Sequence, residues 1–202
     1  MSGKAWYGLL TGLLITGVSG YISPSTGNLR LFQQPAEFLL SSRPVFSKSL
    51  RYNIYSFTLT SPDTGKAHVL TVRAYRGQLL LTTFQTRVEG PIVGADVADL
   101  DGNRFPEVYA YSQSTGSGSF GRVYAWQFLP ERKADIALPN WRLPDDVGYM
   151  GHDSLWVEQD ILCRRYPVYR SGDVNAEPTG GNTMKRYRLR QAGTGYALVA
   201  EP

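Results

Sequence analysis

The sequence contains very few of the residues that build disulfide frameworks or carry out thiol and imidazole chemistry. Its 202 residues include one cysteine and two histidines. A single cysteine excludes an intramolecular disulfide. Cys163 lies in an apolar run with Ile161 and Leu162, so we expect it to be a small core residue rather than a catalytic thiol.

Few groups of catalytic residue types occur in the sequence, because it contains only one cysteine and two histidines. His152 is followed by Asp153 and Ser154, and together they supply the residue types of a hydrolase triad. Such a triad is defined by spatial geometry and not by adjacency in the chain, and a polar turn before a strand explains the same residues. We therefore expect no enzymatic activity from this chain.

A strong excess of charge is also missing, since the net charge is only +4. The basic residues are scattered, apart from Arg164-Arg165 and a run over residues 185–190. In that run charged and apolar residues partly alternate, as they do on one solvated face of a strand. No nucleic-acid-binding motif accompanies it, so we expect no nucleic-acid partner.

A long apolar run lies at the N-terminus. Residues 1–20 combine Lys4, an apolar stretch over residues 7–18 and small residues up to Gly20, which is the pattern of a cleaved secretory signal peptide. Its strongly apolar part is shorter than the roughly 20 residues that a membrane helix needs. Residues 21–50 contain several prolines and predict a linker or an N-terminal extension.

The remainder of the chain lacks helical periodicity. We see no long amphipathic helix, and any helix would be short and near residues 36–40. Short alternating runs predict strands instead, for example over residues 52–59, 69–75 and 79–88. Many short strands with regular turn signals predict an all-β fold, so we expect residues 51–202 to form a single-domain antiparallel β-sandwich or barrel-like domain.

One stretch of this domain concentrates oxygen-bearing side chains. Residues 99–107 read DLDGNRFPE, and the oxygen-bearing residues at the first, third, fifth and ninth positions are Asp99, Asp101, Asn103 and Glu107. That spacing lets a tight loop direct several oxygens at one hard cation, and the stretch resembles the calcium loop of integrin-type propeller repeats. Arg104 departs from that loop, which has glycine at the sixth position for its left-handed backbone. Two interpretations stay open, a turn held by Asx hydrogen bonds or a candidate Ca²⁺ site, and we expect no other cofactor.

A hairpin follows this acidic stretch. Two strands with aromatic residues at alternate positions, EVYAYSQ and RVYAWQF, enclose the loop 114–121, which reads STGSGSFG. The alternation predicts two half-buried strands. In the loop, glycine lets the backbone approach a partner closely, serine donates and accepts hydrogen bonds, and Phe120 supplies an apolar anchor. A flexible hairpin loop has the same composition, whereas a phosphate-binding loop is disfavoured because no Lys-Ser or Lys-Thr pair follows.

Two stretches of the chain resemble the periplasmic inhibitors of invertebrate-type (i-type) lysozymes. The first is DLDGNRFPEVYAYSQSTGSGSFGRVYAW. The second is CRRYPVYRSGDVNAEPTGGNTMKRYRL, which is similar to that family's F-P-x-Y…G-D-x-N-x-x-P-T-G-G segment. The resemblance covers most of the chain from Tyr55 onward. It implies a periplasmic protein, exported by its signal peptide, whose partner is an i-type lysozyme; a homodimer is a further candidate arrangement.

In that family, an S-G-S-x-x-Y-G-like loop enters the substrate groove of the lysozyme. The resemblance therefore implies that loop 114–121 is inhibitory, with Ser117 and Phe120 as the side chains that block the groove. Phe120 stands where the family has tyrosine, and the missing hydroxyl is worth about 1 kcal/mol net. The other residues of the expected lysozyme-binding loop are Gly118, Ser119 and Gly121. Their hydroxyl and amide groups are suitable donors to the two carboxyl groups of a glycosidase site.

Two further hypotheses accompany this interpretation. A basic side chain would make a natural second contact with an acidic groove, and Arg132 and Arg122 are the candidates, although an ordinary surface charge explains each of them as well. The alternative function is a Ca²⁺-dependent cell-envelope adhesion or glycan-binding β module. Such a module would use the acidic stretch together with sugar-stacking aromatic residues such as Trp141 and Trp156.

Overall fold

The computed structural model of the chain describes residues 44–62, 68–139, 147–174 and 176–201. These residues form β-strands and no helix, which confirms the predicted all-β class. They accordingly contain no helix that is long and apolar enough to cross a membrane. In chain order the strands are β1 (Pro44–Tyr52), β2 (Tyr55–Pro62), β3 (His68–Arg76), β4 (Leu79–Val88), β5 (Ile92–Ala98), β6 (Glu107–Gln113), β7 (Gly121–Phe128), β8 (Lys133–Ala137), β9 (Ser154–Glu158), β10 (Ile161–Pro167), β11 (Asn182–Ala192) and β12 (Gly195–Ala200).

The N-terminal predictions are only partly covered by these residues. The signal segment 1–20 and the short helix expected near residues 36–40 lie outside the described residues. The segment 21–50, predicted as a linker, overlaps β1, which begins at Pro44. Leu50 of this strand is buried in the core, so the last part of the segment belongs to the folded domain.

The first sheet is an antiparallel meander in the order β1-β2-β3-β4. Two of its turns use residues that tolerate left-handed backbone: Asn53 (φ 51°) lies between β1 and β2, and Gly77 (φ 58°) lies between β3 and β4. The prediction of one strand over residues 52–59 is wrong, because the β1–β2 turn falls inside that run. Ile54 continues the apolar alternation but lies in the turn, where it is 57% exposed.

The second sheet is larger and curved. Its order is β5-β6-β7-β8-β12-β11-β10-β9, and among the strand pairs of the described residues only β8–β12 is parallel. The two edge strands approach each other, since the backbone N of Val157 in β9 donates a hydrogen bond to Asp96 Oδ2 in β5 (3.1 Å). The sheet is therefore a nearly closed barrel, which agrees with the expected barrel-like architecture except for the parallel pair.

Two hydrophobic clusters lie on opposite faces of β6. One lies between the four-stranded sheet and strands β5–β7, and it includes Val108 and Ala110. The other fills the interior of the curved sheet and includes Tyr109 and Tyr111. In β6 only Gln113 is partly exposed. The prediction of a half-buried strand is wrong here, because the four-stranded sheet covers the face that would otherwise meet solvent.

Candidate functional site

Strand β6 joins the two stretches that stand out in the sequence. The acidic turn (residues 99–107) enters β6 at Glu107, and the glycine–serine loop (residues 114–121) follows Gln113 at the other end. A strand of this length spans about 20 Å. The acidic turn and the glycine–serine loop are therefore two separate candidate sites at opposite ends of one buried strand.

The glycine–serine loop is closed by hydrogen bonds between its own residues. Ser114 N donates to Phe120 O (2.9 Å), and Phe120 N donates to the Ser114 hydroxyl (2.9 Å). Ser119, in left-handed backbone at φ 43°, donates from its N to Gly116 O (3.0 Å). These hydrogen bonds hold the backbone in one conformation, which distinguishes this loop from a flexible hairpin loop of the same composition.

The loop also rests on residues 148–153, called here the support segment. His152 N donates to Gly118 O (2.6 Å). The contact leaves no space for side chains, because a Cβ on Gly151 would lie 1.9 Å from Gly118 O and a Cβ on Gly118 would lie 2.5 Å from the Phe120 ring. Gly151 also has a φ of 98°, a conformation that side chains disfavour. Close packing thus requires glycine at both positions.

Phe120 packs against the support segment and does not stand free. Its ring meets the Tyr149 ring edge-on, with centroids 5.8 Å apart and an interplanar angle of 74°, and the residue is 37% exposed. Ser117 is exposed, whereas Gly118 and Gly121 are buried. The loop therefore presents Ser117 and part of Phe120 to solvent from an ordered backbone.

A buried carboxylate connects the loop to the support segment. Asp153 Oδ2 accepts hydrogen bonds from Gly121 N (2.8 Å) and from the Tyr149 hydroxyl (2.6 Å). The main-chain oxygen of Asp153 accepts a further bond from the Gln113 side chain (3.1 Å). The Gly121 amide, expected from the sequence to be a donor toward a lysozyme, is thus already committed within the protein.

Arg164 of β10 neutralises this carboxylate. Its Nε lies 2.7 Å from Asp153 Oδ1, and the two side chains are 1% and 0% exposed. The guanidinium lies 4.6 Å from the ring centroids of both Tyr149 and Tyr166, in cation–π geometry. Burial alone would lower the pKa of Arg164, but the charge of Asp153 outweighs it and raises that pKa, so Arg164 keeps its positive charge.

Sequence reasoning missed this ion pair. Arg164 adjoins Arg165, and two neighbouring arginines look like surface charge. The signal that identifies it is the alternation of β10, in which Leu162 and Tyr166 are buried on the face that Arg164 shares. A charged residue in the middle of a buried face needs a buried partner.

The two arginines predicted as second contacts occupy different places. Arg122 lies at the foot of the loop, where its Nε forms an ion pair with Glu89 Oε2 (3.2 Å) and its Nη1 donates to Gly121 O (2.9 Å). Arg132 lies beyond Phe128, the end of β7 that is farther from the loop. The two ends of β7 are roughly 25 Å apart, so Arg132 does not belong to a compact site with the loop.

An open cleft of about 390 Å³ adjoins the loop. Two aromatic rings line it together with polar and charged side chains; the lining residues are Glu89, Ser114, Phe120, Arg122 and Tyr149. The cleft can therefore receive an apolar side chain of a partner against its two rings, while its own polar side chains contact polar groups beside that side chain. It places Arg122, and not Arg132, beside the candidate contact surface.

At the opposite end of β6, the acidic turn brings three carboxylates together. Asp99, Asp101 and Glu107 each offer an oxygen within 4.8 Å of the others. Glu107 is 0% exposed, and its Oε2 accepts a hydrogen bond from Leu100 N (2.7 Å). Burial raises the pKa of Glu107 to about 8 against the opposing effect of that hydrogen bond, and the charges of Asp101 and Asp99 contribute to the rise.

Asn103 contacts this cluster through its nitrogen and not through its oxygen, so it does not offer the ligand atom that the sequence pattern predicts. Its Oδ1 accepts a hydrogen bond from Phe105 N (2.8 Å), and its Nδ2 donates to Asp101 Oδ2 (2.8 Å). Arg104 has φ 70°, the left-handed conformation expected at that position, and donates from its N to Asp99 Oδ2 (2.8 Å). The hydrogen bonds of the Asx-turn interpretation are therefore present.

Two buried side chains that sequence reasoning missed face the cluster. Gln127 Nε2 donates to Asp101 Oδ2 and to Glu107 Oε1, at 3.1 Å each. The hydroxyl of Tyr109 lies near Glu107. Burial raises the pKa of Tyr109, and the charge of Glu107 is the next largest cause of the rise. The hairpin register, which pairs Glu107 with Gln127, is the signal that would have identified Gln127.

Comparison with known proteins leaves the family open. No protein-family model matches the chain, and no curated protein is significantly similar to it. Fold and site geometry define the class: an all-β domain in which a nearly closed barrel carries a four-stranded sheet. One end of strand β6 bears an ordered surface loop, and the other bears a carboxylate cluster.

Proposed function

We propose that this protein inhibits an i-type lysozyme by inserting the glycine–serine loop into the substrate groove of the enzyme. The observation that carries the proposal is the ordered backbone of that loop, which leaves Ser117 exposed and Phe120 partly exposed. A loop that is ordered before binding loses little conformational entropy when it binds. In this proposal the protein acts in the periplasm after export.

The chemistry of the loop suits a glycosidase groove. Such a groove contains two carboxyl groups that flank the bond to be cleaved. The hydroxyls of Ser117 and Ser119 would donate hydrogen bonds to these carboxyl groups, and the ring of Phe120 would exclude water from them. The Gly121 amide takes no part, because it donates to Asp153. A polypeptide loop offers the enzyme no glycosidic bond to hydrolyse.

The cleft beside the loop gives the proposal a second contact. Phe120 and Tyr149 form its apolar part, and Arg122 lies on its rim. An aromatic or aliphatic residue from the rim of the lysozyme groove would enter this cleft while the loop enters the groove. Arg122 is then the basic residue nearest the acidic surface of the enzyme, and it would contribute to association by exchanging its exposed ion pair with Glu89 for a carboxylate of the enzyme.

The test measures muramidase activity of i-type, c-type and g-type lysozymes with increasing amounts of this protein. We expect inhibition of the i-type enzyme at micromolar protein or below. Phe120→Ala should raise the inhibition constant by about 30-fold or more, as expected for a central anchor. Ser117→Ala should raise it about 10-fold, the loss of one hydrogen bond to a charged group.

Matched controls separate binding from folding. Thr83 and Leu79 are exposed residues of β4 in the other sheet, and Thr83→Ala and Leu79→Ala should leave the inhibition constant unchanged. Thermal unfolding of all four variants should stay close to that of the parent protein. Absence of inhibition of every lysozyme class at micromolar protein would overturn the proposal, as would equal losses in loop and control variants.

A further inference from the structure

The acidic turn brings three carboxyl groups together, and none of them has a cationic partner among the described residues. Asp99, Asp101 and Glu107 converge within 4.8 Å, and Glu107 is 0% exposed. Among the described residues, no lysine or arginine forms an ion pair with any of the three. Three carboxyl groups within this distance form a cluster of oxygen atoms that suits a hard cation.

Buried polar atoms without hydrogen-bond partners lie in the cluster and in the side chains beside it. Gln127 and Tyr109 are both 0% exposed. Within the described part of the chain, Gln127 Oε1, the Tyr109 hydroxyl and Asp99 Oδ1 are buried and form no hydrogen bond. Buried polar atoms are nearly always satisfied, so the Tyr109 hydroxyl beside Glu107 and the unpaired oxygen of Asp99 indicate a missing partner that accepts oxygen ligands.

We propose that the acidic turn binds one divalent cation of the calcium type between Asp99, Asp101 and Glu107. Ca²⁺ binds oxygen ligands at about 2.3–2.6 Å, so a single ion can touch oxygens that lie up to about 5 Å apart. The observed limit of 4.8 Å fits that span. The cluster contains no sulfur or imidazole ligand, which disfavours zinc and other softer metals.

The neutral ligand in this site is Gln127 and not Asn103. The Asn103 oxygen is occupied by Phe105 N. The Gln127 amide already touches Asp101 and Glu107 through its nitrogen. A half-turn of that amide group exchanges its nitrogen and oxygen, which directs the oxygen at the cation.

The role of this cation is structural. Asp99 Oδ2 accepts a hydrogen bond from the Tyr52 hydroxyl of β1 (3.0 Å), and Glu107 begins β6. A cation between these carboxylates therefore joins the corner of the barrel to the four-stranded sheet. The glycine–serine loop lies at the far end of β6, so the cation contributes to stability without touching the loop.

The test uses the purified protein after treatment with a chelator and desalting, with CaCl₂ as the probe. We expect calorimetric titration to show one saturable site per chain. The midpoint of thermal unfolding should rise by about 5–10 °C at calcium concentrations near one hundred times the dissociation constant. Lack of binding at millimolar calcium would overturn the proposal, and an equal response to MgCl₂ would overturn the assignment to calcium.

Two neutral variants distinguish a cation site from a purely structural turn. Asp101→Asn should abolish calcium binding and should leave the protein folded in the absence of calcium, because asparagine keeps one oxygen for the hydrogen bond from Asn103 N. Glu107→Gln should do the same, and it serves as the second variant if Asp101→Asn does not fold. Asp135→Asn is the control, since Asp135 is exposed and pairs with Lys133, and it should bind calcium normally. Retained binding in the two cluster variants would contradict the site.

Discussion

The two ends of β6 differ in what surrounds a buried carboxyl group. At the loop end, Asp153 is 3% exposed and is neutralised by Arg164, which is itself buried. At the other end, Glu107 is at least as deeply buried but lies beside Asp99 and Asp101, two more carboxylates. One end is electrostatically complete within the chain, whereas at the other end no described lysine or arginine forms an ion pair with the cluster.

This difference suggests that the two ends of β6 have different roles, binding at one end and structural stability at the other. An internal ion pair holds its geometry whatever the solution contains, which suits a loop that has to keep one shape for a partner. A carboxylate cluster depends on the ions around it, and it therefore suits a structural corner whose stability follows the environment. Three substitutions test the loop end of this comparison.

The largest expected effect comes from removing Arg164. Arg164→Met leaves the Asp153 carboxylate buried without its partner and should lower the free energy of unfolding by about 3–5 kcal/mol, as measured by urea denaturation. The inhibition constant should also rise, because Asp153 holds Gly121 and Tyr149. Arg188→Met is the control: Arg188 pairs with Glu201 in a partly exposed place, so solvent screening limits its loss to about 1 kcal/mol or less. Equal losses in the two variants would show that burial of the Asp153 pair is unimportant.

An intermediate effect is expected at Gly151, where the loop and the support segment meet. Gly151→Ala places a Cβ 1.9 Å from Gly118 O and should cost about 1–3 kcal/mol of stability, together with a weaker inhibition constant. Gly172→Ala is a close match, because Gly172 has a similar φ of 93° with no atom within 4 Å of its Cβ. The Gly172 variant should keep full inhibition. A loss of inhibition confined to Gly172→Ala would contradict the packing described for the loop.

The smallest effect is expected from restoring the hydroxyl that the lysozyme-inhibitor resemblance predicts. Phe120→Tyr adds one polar group to a ring that is 37% exposed. Inhibition should stay equal or improve by about 1 kcal/mol, which is up to roughly fivefold in the inhibition constant. Stability should not change. A clear weakening in the same muramidase assay would argue against the proposed position of this ring in the groove.

Much of the fold could be predicted from local sequence patterns. Alternating apolar residues and turn residues locate β4 at the predicted residues 79–88, and they establish the all-β class. They fail at Ile54, where the alternation happens to continue through a turn. Alternation also cannot reveal that β6 is covered on its second face, because that depends on how a separate sheet packs.

The residues of the candidate sites also fall into two groups, those that local sequence predicts and those that depend on how the strands pair. Loop 114–121 and the acidic residues of the turn are contiguous in the chain, so composition and spacing alone identify them as stretches of interest. Arg164 and Gln127 are contributed by other strands and could be found only through β pairing. The position of Arg132 follows from the hairpin itself: a residue beyond the second strand lies at the end opposite the hairpin loop.

The burial of β6 on both faces has a consequence for how the molecule opens. Its backbone pairs with β5 on one side and with β7 on the other, and both hydrophobic clusters include its side chains. Exposing its amide hydrogens to solvent therefore means disrupting both clusters together. Exchange of those hydrogens with deuterium should therefore require global unfolding, so the acidic turn and the glycine–serine loop are attached to a strand that opens only with the domain as a whole.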